Sequence, residues 1–525
     1  PRVGESESEN SHGPQMEHIQ GETETAAKRA KLSAGGGGSE DRLSALPDDV
    51  LLHILSDLGT TSAAARTSVL SRRWRRLWAL LPDLHFFWDA NPDSVHGALA
   101  ALEAMAHEEA PPLRSLIVFL SHASPDSLAA WLPIAARRLA GVLTFVDMAP
   151  RNDAREGEKG AFELPCFEKA TAMSFDLGFL SLALPPSGVF SRLTDLSLDG
   201  VQLHGPCGIG EVASSSRCPS LRRLTICNAQ GLGNFTIHSE SLLEIQLKKS
   251  CGLQQLTIVV PALKKLTLFF CFSIDLNPSQ QVADIAAPQL VSLEWRDAYD
   301  PSSVQFGKMA HLEWLGTAFF LVYGPDGYAH NRDCVMLLRH FEVVHTLSLV
   351  LAYMSEDIED LGEPHYLMED MTRLPNITFL TLLLIPNGHF FGASSFHVLR
   401  MCTGLRKLML IFHTHLDLEV ETACASGCIC DQPPNWKTEE LVLNRLQEVE
   451  ITYLRGTEHD FALVKRLFTW ATALQTMTIT FHRSITESMA KEFCQKILGF
   501  SKPGICVEFY VYHFLWKKVL YVPEN

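Results

Sequence analysis

A spaced-leucine pattern, L-x-x-L-x-L, recurs along most of this 525-residue chain and constrains its fold more than any other feature. Copies begin at Leu113, Leu193, Leu221, Leu242, Leu263, Leu290, Val344, Ile377, Leu405, Leu446 and Leu474. Most starts lie about 21 to 33 residues apart, near the period of leucine-rich repeats. Because alternate side chains of a strand share one face, stacked strands bury one long core. The pattern predicts an α/β solenoid of parallel strands with helices or loops on its convex side.

The repeats are irregular, and few carry the asparagine typical of regular ones. The similar stretch at Leu253 falls halfway between two copies, so its register stays open, and the alternative is an ordinary leucine-rich α/β domain. In a solenoid the side chains between the leucines line the binding surface. Here they include Thr194, Asp195, Arg222, Arg223, Lys264, Lys265, Arg406 and Lys407. This basic tendency favours an acidic or phosphorylated partner segment.

Near the start, residues 45–78 carry helical rather than strand periodicity. Pro47 suits a helix start, and one face collects Val50, Leu51, Ile54, Leu55 and Leu58. Trp74, Leu77, Trp78 and Leu81 repeat that spacing in a third short helix. Three such helices cannot bury their own apolar side chains, so they pack against the rest of the chain or against another protein.

The net charge and cysteine content of the chain exclude some classes of function and indicate a cellular compartment. A formal net charge of −16 argues against a general nucleic-acid binder or a partner of anionic membranes. Thirteen cysteines without a secretory signal predict a reducing compartment, either cytoplasm or nucleus. Residues 1–40 are Glu-, Ser- and Gly-rich and are predicted to be a disordered acidic tail. Lys28, Arg29 and Lys31 within it form a candidate nuclear-import signal, the alternative being a solvated charge run.

No motif for a hydrolase, kinase, phosphate loop, zinc protease or dinucleotide site occurs in the sequence, and no cofactor is predicted. Cys424, Cys428 and Cys430, downstream of His413 and His415, are the right ligand types for zinc. Their C-x3-C-x-C spacing is not that of a closed zinc site, which makes them weak metal candidates. We expect reduced cysteines in a surface insertion instead.

The segments "LPDDVLLHILSDL" and "ARTSVLSRRWRRLWALLPDLHF" resemble the F-box of plant F-box proteins. Downstream, the irregular repeats resemble the leucine-rich repeats of the same family. "CASGCICDQPPNW", running into "LQEVEITYLRGTEHDFALVKRLF", resembles its C-terminal FBD-type module. The predicted organisation is a tail over 1–40, an F-box over 41–85, repeats over 110–435, an FBD-type module over 436–510 and a C-terminal tail over 511–525.

The resemblance implies a non-catalytic substrate-recognition subunit of a Skp-cullin-F-box (SCF) ubiquitin ligase. In that family the F-box binds a Skp-type adaptor and, through it, a cullin, while the repeats hold a protein destined for ubiquitination and degradation. Carried over onto this sequence, the adaptor-facing residues are Leu46, Pro47, Val50, Ile54, Leu55, Val69, Leu70, Trp74 and Trp78. The long acidic tail ahead of the F-box departs from the family pattern, as does the small-residue loop "GTTSAA".

Two alternatives stay open. In the first, the chain is a leucine-rich-repeat scaffold without a ligase role, and the F-box helices pack inside it. In the second, it is a ligand-dependent co-receptor. Exposure of Trp74 and Leu46 separates the ligase subunit from the scaffold. A co-receptor needs a concave pocket with converging polar groups. Neither nucleic acid nor membrane is expected as a partner.

Overall fold

A computed structural model describes residues 46–87, 90–105, 112–149, 160–272, 281–353, 365–413, 430, 436, 438–513 and 517–522. The chain divides into two units, residues 1–51 and 52–525. Of the first unit, the described part is 46–51, where the first helix begins. None of the described helices has the length and apolar character needed to cross a membrane.

The described α-helices are mostly short, and several begin at polar caps. Thr60 caps the second helix by accepting the Ala63 N–H, and Thr457 and Thr486 cap the last two in the same way. The helices are α1 Asp48–Asp57, α2 Thr61–Arg66, α3 Trp74–Leu77, α4 Pro92–Met105, α5 Pro125–Arg138, α6 Ile209–Ala213, α7 Ala329–His340, α8 Gly392–Arg400, α9 Glu458–Trp470 and α10 Glu487–Leu498. Among the described residues, 3-10 helices span Thr67–Val69, Trp78–Leu80 and Leu367–Asp370.

The strands are β1 Asp83–Phe86, β2 Leu113–Leu120, β3 Leu139–Asp147, β4 Phe162–Glu163, β5 Ala172–Ala183, β6 Asp195–His204, β7 Arg223–Cys227, β8 Asn234–His238, β9 Glu244–Lys248, β10 Gln255–Val259, β11 Lys265–Phe269 and β12 Val282–Ala286. The second half contains β13 Ser292–Arg296, β14 Val304–Phe306, β15 Trp314–Leu321, β16 Tyr323–Gly324, β17 Thr346–Ala352, β18 His365–Tyr366, β19 Phe379–Ile385, β20 Lys407–Phe412, β21 Glu448–Leu454, β22 Thr476–Phe481, β23 Cys506–His513 and β24 Lys517–Tyr521.

Eighteen of the described strands form one sheet, in which every ladder is parallel except the last, between β23 and β24. All three apolar positions of every repeat copy named above are buried, so the predicted solenoid of parallel strands is confirmed. The positions between them point to the other face, which we call the outward face. On it, each strand's side chains stand in register with those of its neighbours.

A second sheet, which the sequence patterns did not predict, contains β8, β10, β12 and β14 in parallel. Each of these strands lies in a connection between two strands of the main sheet. The ambiguous stretch at Leu253 contains β10, whose Leu256 and Ile258 are completely buried. In these repeats the expected helices or loops are therefore replaced by strands, and the two sheets bury the core between them.

Leu256→Ala should test this second sheet. It removes a buried side chain from β10, and we expect a loss of about 2–3 kcal/mol of unfolding free energy. Thr257→Ala, at a half-buried position on the other face of the same strand, should cost about 0.5 kcal/mol or less. Urea denaturation of the full chain measures both. Equal effects of the two variants would contradict the burial of Leu256 in a two-sheet core.

Acidic and hydroxyl side chains take the place of the missing asparagines at the strand ends. Asp147 Oδ1 accepts the His122 N–H, and Ser250 Oγ accepts the Ala229 N–H, each in the turn of a preceding repeat. Asp297 Oδ1 accepts two backbone N–H groups, from Cys271 and Phe272. These bonds satisfy backbone donors in the turns, and those of Ala229, Cys271 and Phe272 belong to buried residues that would otherwise lack a partner.

Candidate docking surfaces

The predicted adaptor residues of the first unit are Leu46, Pro47 and Val50, which lie at the start of α1. Leu46 is half-buried, while Pro47 and Val50 are exposed. Asp48 and Asp49 place negative charge in the first turn of the helix, where the helix dipole favours it. These residues are accessible to a partner.

In the second unit, the predicted adaptor residues separate into two groups. Val69 and Leu70 are 87% and 62% exposed, at the end of the 3-10 helix that follows α2. Ile54 is exposed at the 36% level. Two adjacent, largely exposed aliphatic side chains contrast with the completely buried repeat leucines, and they suit a protein contact.

Leu55, Trp74 and Trp78 lie in the chain's own core, at 1%, 6% and 7% exposure. In this conformation they offer almost no surface to an adaptor, so the expectation that they face it is corrected. The burial of Trp74 by itself fits the scaffold alternative, and the exposed Val69 and Leu70 are what leave an adaptor surface on this segment. Trp74 and Trp78 begin the third helix and the following 3-10 turn, which pack against the turn carrying Val69. Their role here is to hold the exposed turn in place.

The α2 helix is joined directly to the main sheet. The buried Thr61 Oγ1 accepts the His85 N–H at 2.8 Å, which ties α2 to β1. β1 then pairs in parallel with β2, and Asp83 forms an ion pair with Arg114. Since β1 continues the register of the repeats, a protein bound to the helices would be held in a fixed position relative to the sheet.

The outward face of the sheet is the second candidate surface. Its first row of side chains alternates in charge: Asp195 pairs with Arg223, Glu244 with Lys265 at 2.8 Å, and Glu448 with Lys407 at 3.3 Å. Burial raises the pKa of Glu244, but hydrogen bonds to Lys265 and Gln246 outweigh it and leave that pKa below its usual value.

The ion pairs correct the predicted basic tendency. Arg223, Lys265 and Lys407 do face outward, but each is neutralised by a carboxylate on the adjacent strand. Arg222, Lys264 and Arg406 are exposed just before their strands begin rather than on the sheet face. The part of the face named by the sequence patterns therefore does not favour an acidic partner.

Two grooves lie near this surface. One of about 210 Å³ crosses β3, β5, β6 and β7 and contains the Asp195–Arg223 pair. The other, of about 720 Å³, follows the loops that precede β6, β7 and β9, and its lining includes Thr194, Ser220 and Arg222. Both are open surface grooves rather than the enclosed pockets typical of small-molecule sites, and the smaller one is lined mainly by apolar atoms. Neither gives specific support to a ligand-dependent co-receptor.

Similarity to known proteins identifies the segments that carry these two surfaces. Residues 43–86 match the F-box domain, and residues 128–311 match the LRR repeats of an FBD-associated F-box protein. A putative F-box/FBD/LRR-repeat protein of Arabidopsis thaliana is 27% identical over 486 residues, covering 88% of this chain and 93% of that protein. F-box/LRR-repeat protein 25 of the same plant is 30% identical over 250 residues, covering 44% and 86%. The chain belongs to the plant F-box/FBD/LRR-repeat family.

The F-box match ends at Phe86, so it includes β1. Leu81, Leu84 and Phe86 of this F-box follow the L-x-x-L-x-L spacing, and all three are buried. The F-box thus supplies the first strand of the repeat sheet. That spacing was present in the sequence and would have revealed the connection. The domain boundaries given above remain predictions.

Several predicted residues lie outside the described part of this F-box protein: Lys28, Arg29, Lys31, His415, Cys424 and Cys428. Cys430 is buried, as is Trp436 of the FBD-type segment. A side chain placed on Gly392 would meet the Trp436 ring at 2.1 Å, which shows that this ring packs directly on the start of α8. Among the described residues, no three His, Cys, Asp or Glu side chains come together as a metal site would require.

Proposed function

We propose that this F-box protein is the non-catalytic substrate-recognition subunit of an SCF ubiquitin ligase. The F-box would bind a Skp-type adaptor, and through it a cullin, while the repeat sheet binds a protein substrate for ubiquitination and degradation. The observation that carries the proposal is the exposure of Val69 and Leu70 within the segment that matches the F-box. Exposed aliphatic side chains on a rigid turn fit a partner's apolar helices.

The tie between F-box and sheet suggests how such a subunit would work. A receptor of this kind supplies no acid or base; it raises the effective concentration of substrate lysines near the conjugating enzyme. The Thr61–His85 hydrogen bond and the β1–β2 pairing would keep the distance between adaptor and substrate constant. We place this activity in the nucleus, the cytoplasm or both, with residues 28–31 as the import signal.

Val69→Glu/Leu70→Glu should abolish co-elution of the full chain with a Skp-type adaptor on size exclusion. The two carboxylates would be buried without partners at the interface, a penalty of several kcal/mol, so binding should weaken by at least about 100-fold. Because both side chains are exposed in the free chain, its thermal melting should stay within about 2 °C of the original.

The matched control is Val343→Glu/Val442→Glu, which makes the same kind of change at aliphatic positions that are 78% and 64% exposed, one in the repeats and one in the predicted FBD-type module. The control should co-elute with the adaptor like the unchanged chain. If the F-box variant also co-elutes, Val69 and Leu70 are not the adaptor surface. If the unchanged chain does not bind the adaptor at all, the ligase proposal fails and a scaffold takes its place.

A further inference from the structure

The C-terminal end of the outward face differs from the rest in its charges. Several outward carboxylates of the sheet are paired with a cation, as in Glu244–Lys265 and Glu448–Lys407. Glu450 on β21 and Glu508 on β23 form no ion pair with any described residue. The register places both in one row, on either side of Thr478 of β22. Two carboxylates therefore flank a threonine on an accessible sheet surface.

Tyrosines surround this pair of carboxylates. Tyr510 donates its hydroxyl hydrogen to Glu508 at 3.2 Å, and the Lys518 ammonium lies 4.4 Å from the Tyr510 ring. Tyr453 stacks on Tyr512, with ring centroids 6.1 Å apart and planes 11° apart. The face thus combines carboxylates with aromatic rings, and one cation already lies against one of those rings.

A backbone irregularity brings Tyr453 to this face. The register of β21 shifts between Thr452 and Leu454, and Tyr453 has a φ of 64°, a conformation that costs energy for a residue other than glycine. Without this bulge, alternation would point Tyr453 into the core; instead it is 38% exposed and Leu454 takes the buried position. The same left-handed conformation recurs directly after strands of other repeats, at Asn228, Lys249 and Phe270, so it explains the exposure of Tyr453 without marking a site by itself.

The two stacked rings cover an unsatisfied hydroxyl. β21 and β23 are separated by β22, so they lie about 10 Å apart, and their rings can meet only above β22. There Thr480, in register with Thr452 and Tyr510, is completely buried, and its Oγ1 has no hydrogen-bond partner among the described residues. An unsatisfied buried hydroxyl on this face indicates a polar group that arrives from outside.

We propose that this tyrosine–glutamate face (Glu450, Glu508, Tyr453, Tyr510, Tyr512 and Thr480) binds a lysine- or arginine-rich segment of the substrate protein. The inference rests on the proposed function and names its substrate class. Cationic heads would bond to Glu450 and Glu508, and their stems would lie on the tyrosine rings, where cations are attracted to the π-faces. The Thr480 hydroxyl is closed to solvent in the free chain, so a cationic head that bonds to it must part the Tyr453 and Tyr512 rings; an ammonium or guanidinium N–H is the kind of donor that this hydroxyl lacks.

The test uses the full chain and a short fluorescent peptide of alternating lysine, arginine and serine, with binding followed by anisotropy at physiological salt. Glu450→Gln/Glu508→Gln should weaken binding about tenfold, since each half-exposed charge pair contributes modestly. The matched control, Glu487→Gln/Glu492→Gln, makes the same charge change on α10, on the other side of the sheet, and should bind like the original. A peptide with glutamate in place of the cations should not bind.

Thr480→Val separates binding from folding. The swap keeps the shape and removes a hydroxyl that has no partner, so the free chain should be as stable as before or slightly more stable. Peptide affinity should nevertheless fall several-fold. Unchanged affinity in this variant would remove Thr480 from the site.

Equal loss in both glutamine variants would overturn the proposal, because it would mean only general attraction to an acidic protein. Absence of peptide binding to the unchanged chain would overturn it as well. Co-elution with the adaptor is measured on the same preparations and should be unaffected by Glu450→Gln/Glu508→Gln. A failure of adaptor binding with peptide binding intact would therefore count against the ligase proposal alone.

Discussion

Trp74→Ala is expected to destabilise the F-box by about 3–5 kcal/mol even when no adaptor is present, as is usual when a buried tryptophan is truncated. Trp74 is 6% exposed, and Leu77, Trp78 and Leu81, which follow it at helical spacing, are buried as well. Hydrogen exchange of the full chain measures the effect locally. Amides of α2 and α3 should exchange at least about 100-fold faster, while those of the central repeats stay unchanged.

The comparison with Val69→Glu decides what Trp74 does. That variant changes an exposed side chain of the same segment, so it should leave the exchange rates unaltered and still abolish adaptor binding. If Trp74→Ala instead abolishes adaptor binding and leaves exchange unchanged, the tryptophan is an adaptor anchor, as the family resemblance implied. The conformation described here would then rearrange on binding.

The repeats could be predicted from the sequence because one physical rule governs them. In a stacked parallel strand, the residues at alternate positions must be apolar, and a spacing of L-x-x-L-x-L records that rule directly. The adaptor residues were predicted less well, because an apolar helix face shows only that something covers it. Leu55 and Trp74 are covered by their own chain, whereas Val69 and Leu70 are not.

The features that the sequence did not reveal depend on contacts between distant residues. The strands of the second sheet are five residues or shorter, and only pairing with the neighbouring repeat identifies them. The tyrosine–glutamate face joins Tyr453 and Tyr512, which are far apart in the sequence, through a one-residue bulge. The lack of an ion pair at Glu450, the other feature of this face, can be recognised only when the ion pairs elsewhere on the sheet are known.

The second large effect concerns pH. Burial raises the pKa of Asp297 to about 7, although two backbone N–H groups donate to its Oδ1 and act in the opposite direction. Its other oxygen, Oδ2, is buried without a hydrogen-bond partner among the described residues. In the unfolded chain an aspartate has a pKa of about 3.9. Between these two values the folded chain keeps a proton that the unfolded chain has released.

The difference between the folded and unfolded pKa of Asp297 sets the direction in which stability changes with pH. Below about pH 4 the Asp297 carboxyl is protonated in both states and does not change the free energy of unfolding. As the pH rises toward about 7, the unfolded chain releases this proton while the folded chain keeps it, so the free energy of unfolding falls. Above about pH 7 the carboxyl is ionised in both states, and the loss of stability is complete. Asp297→Asn keeps an oxygen for the two N–H groups but has no charge to bury. Between about pH 5 and pH 8, the unchanged chain should therefore lose about 3 kcal/mol of unfolding free energy relative to this variant.

Asp300→Asn, three residues away, provides a control without a pH dependence in this range. Hydrogen bonds from Ser302 lower the pKa of Asp300, so its stabilising effect is lost only as the pH falls below the unfolded pKa of about 3.9, and between about pH 5 and pH 8 this variant and the unchanged chain should give parallel curves. Urea denaturation across this pH range, with the unchanged chain and both variants measured together, cancels the contributions of all other titrating groups. If the free energy of unfolding of the unchanged chain and of Asp297→Asn varies with pH in parallel, Asp297 ionises freely in the folded chain. The turn between β11 and the following repeat would then be held by a carboxylate rather than by a neutral acid.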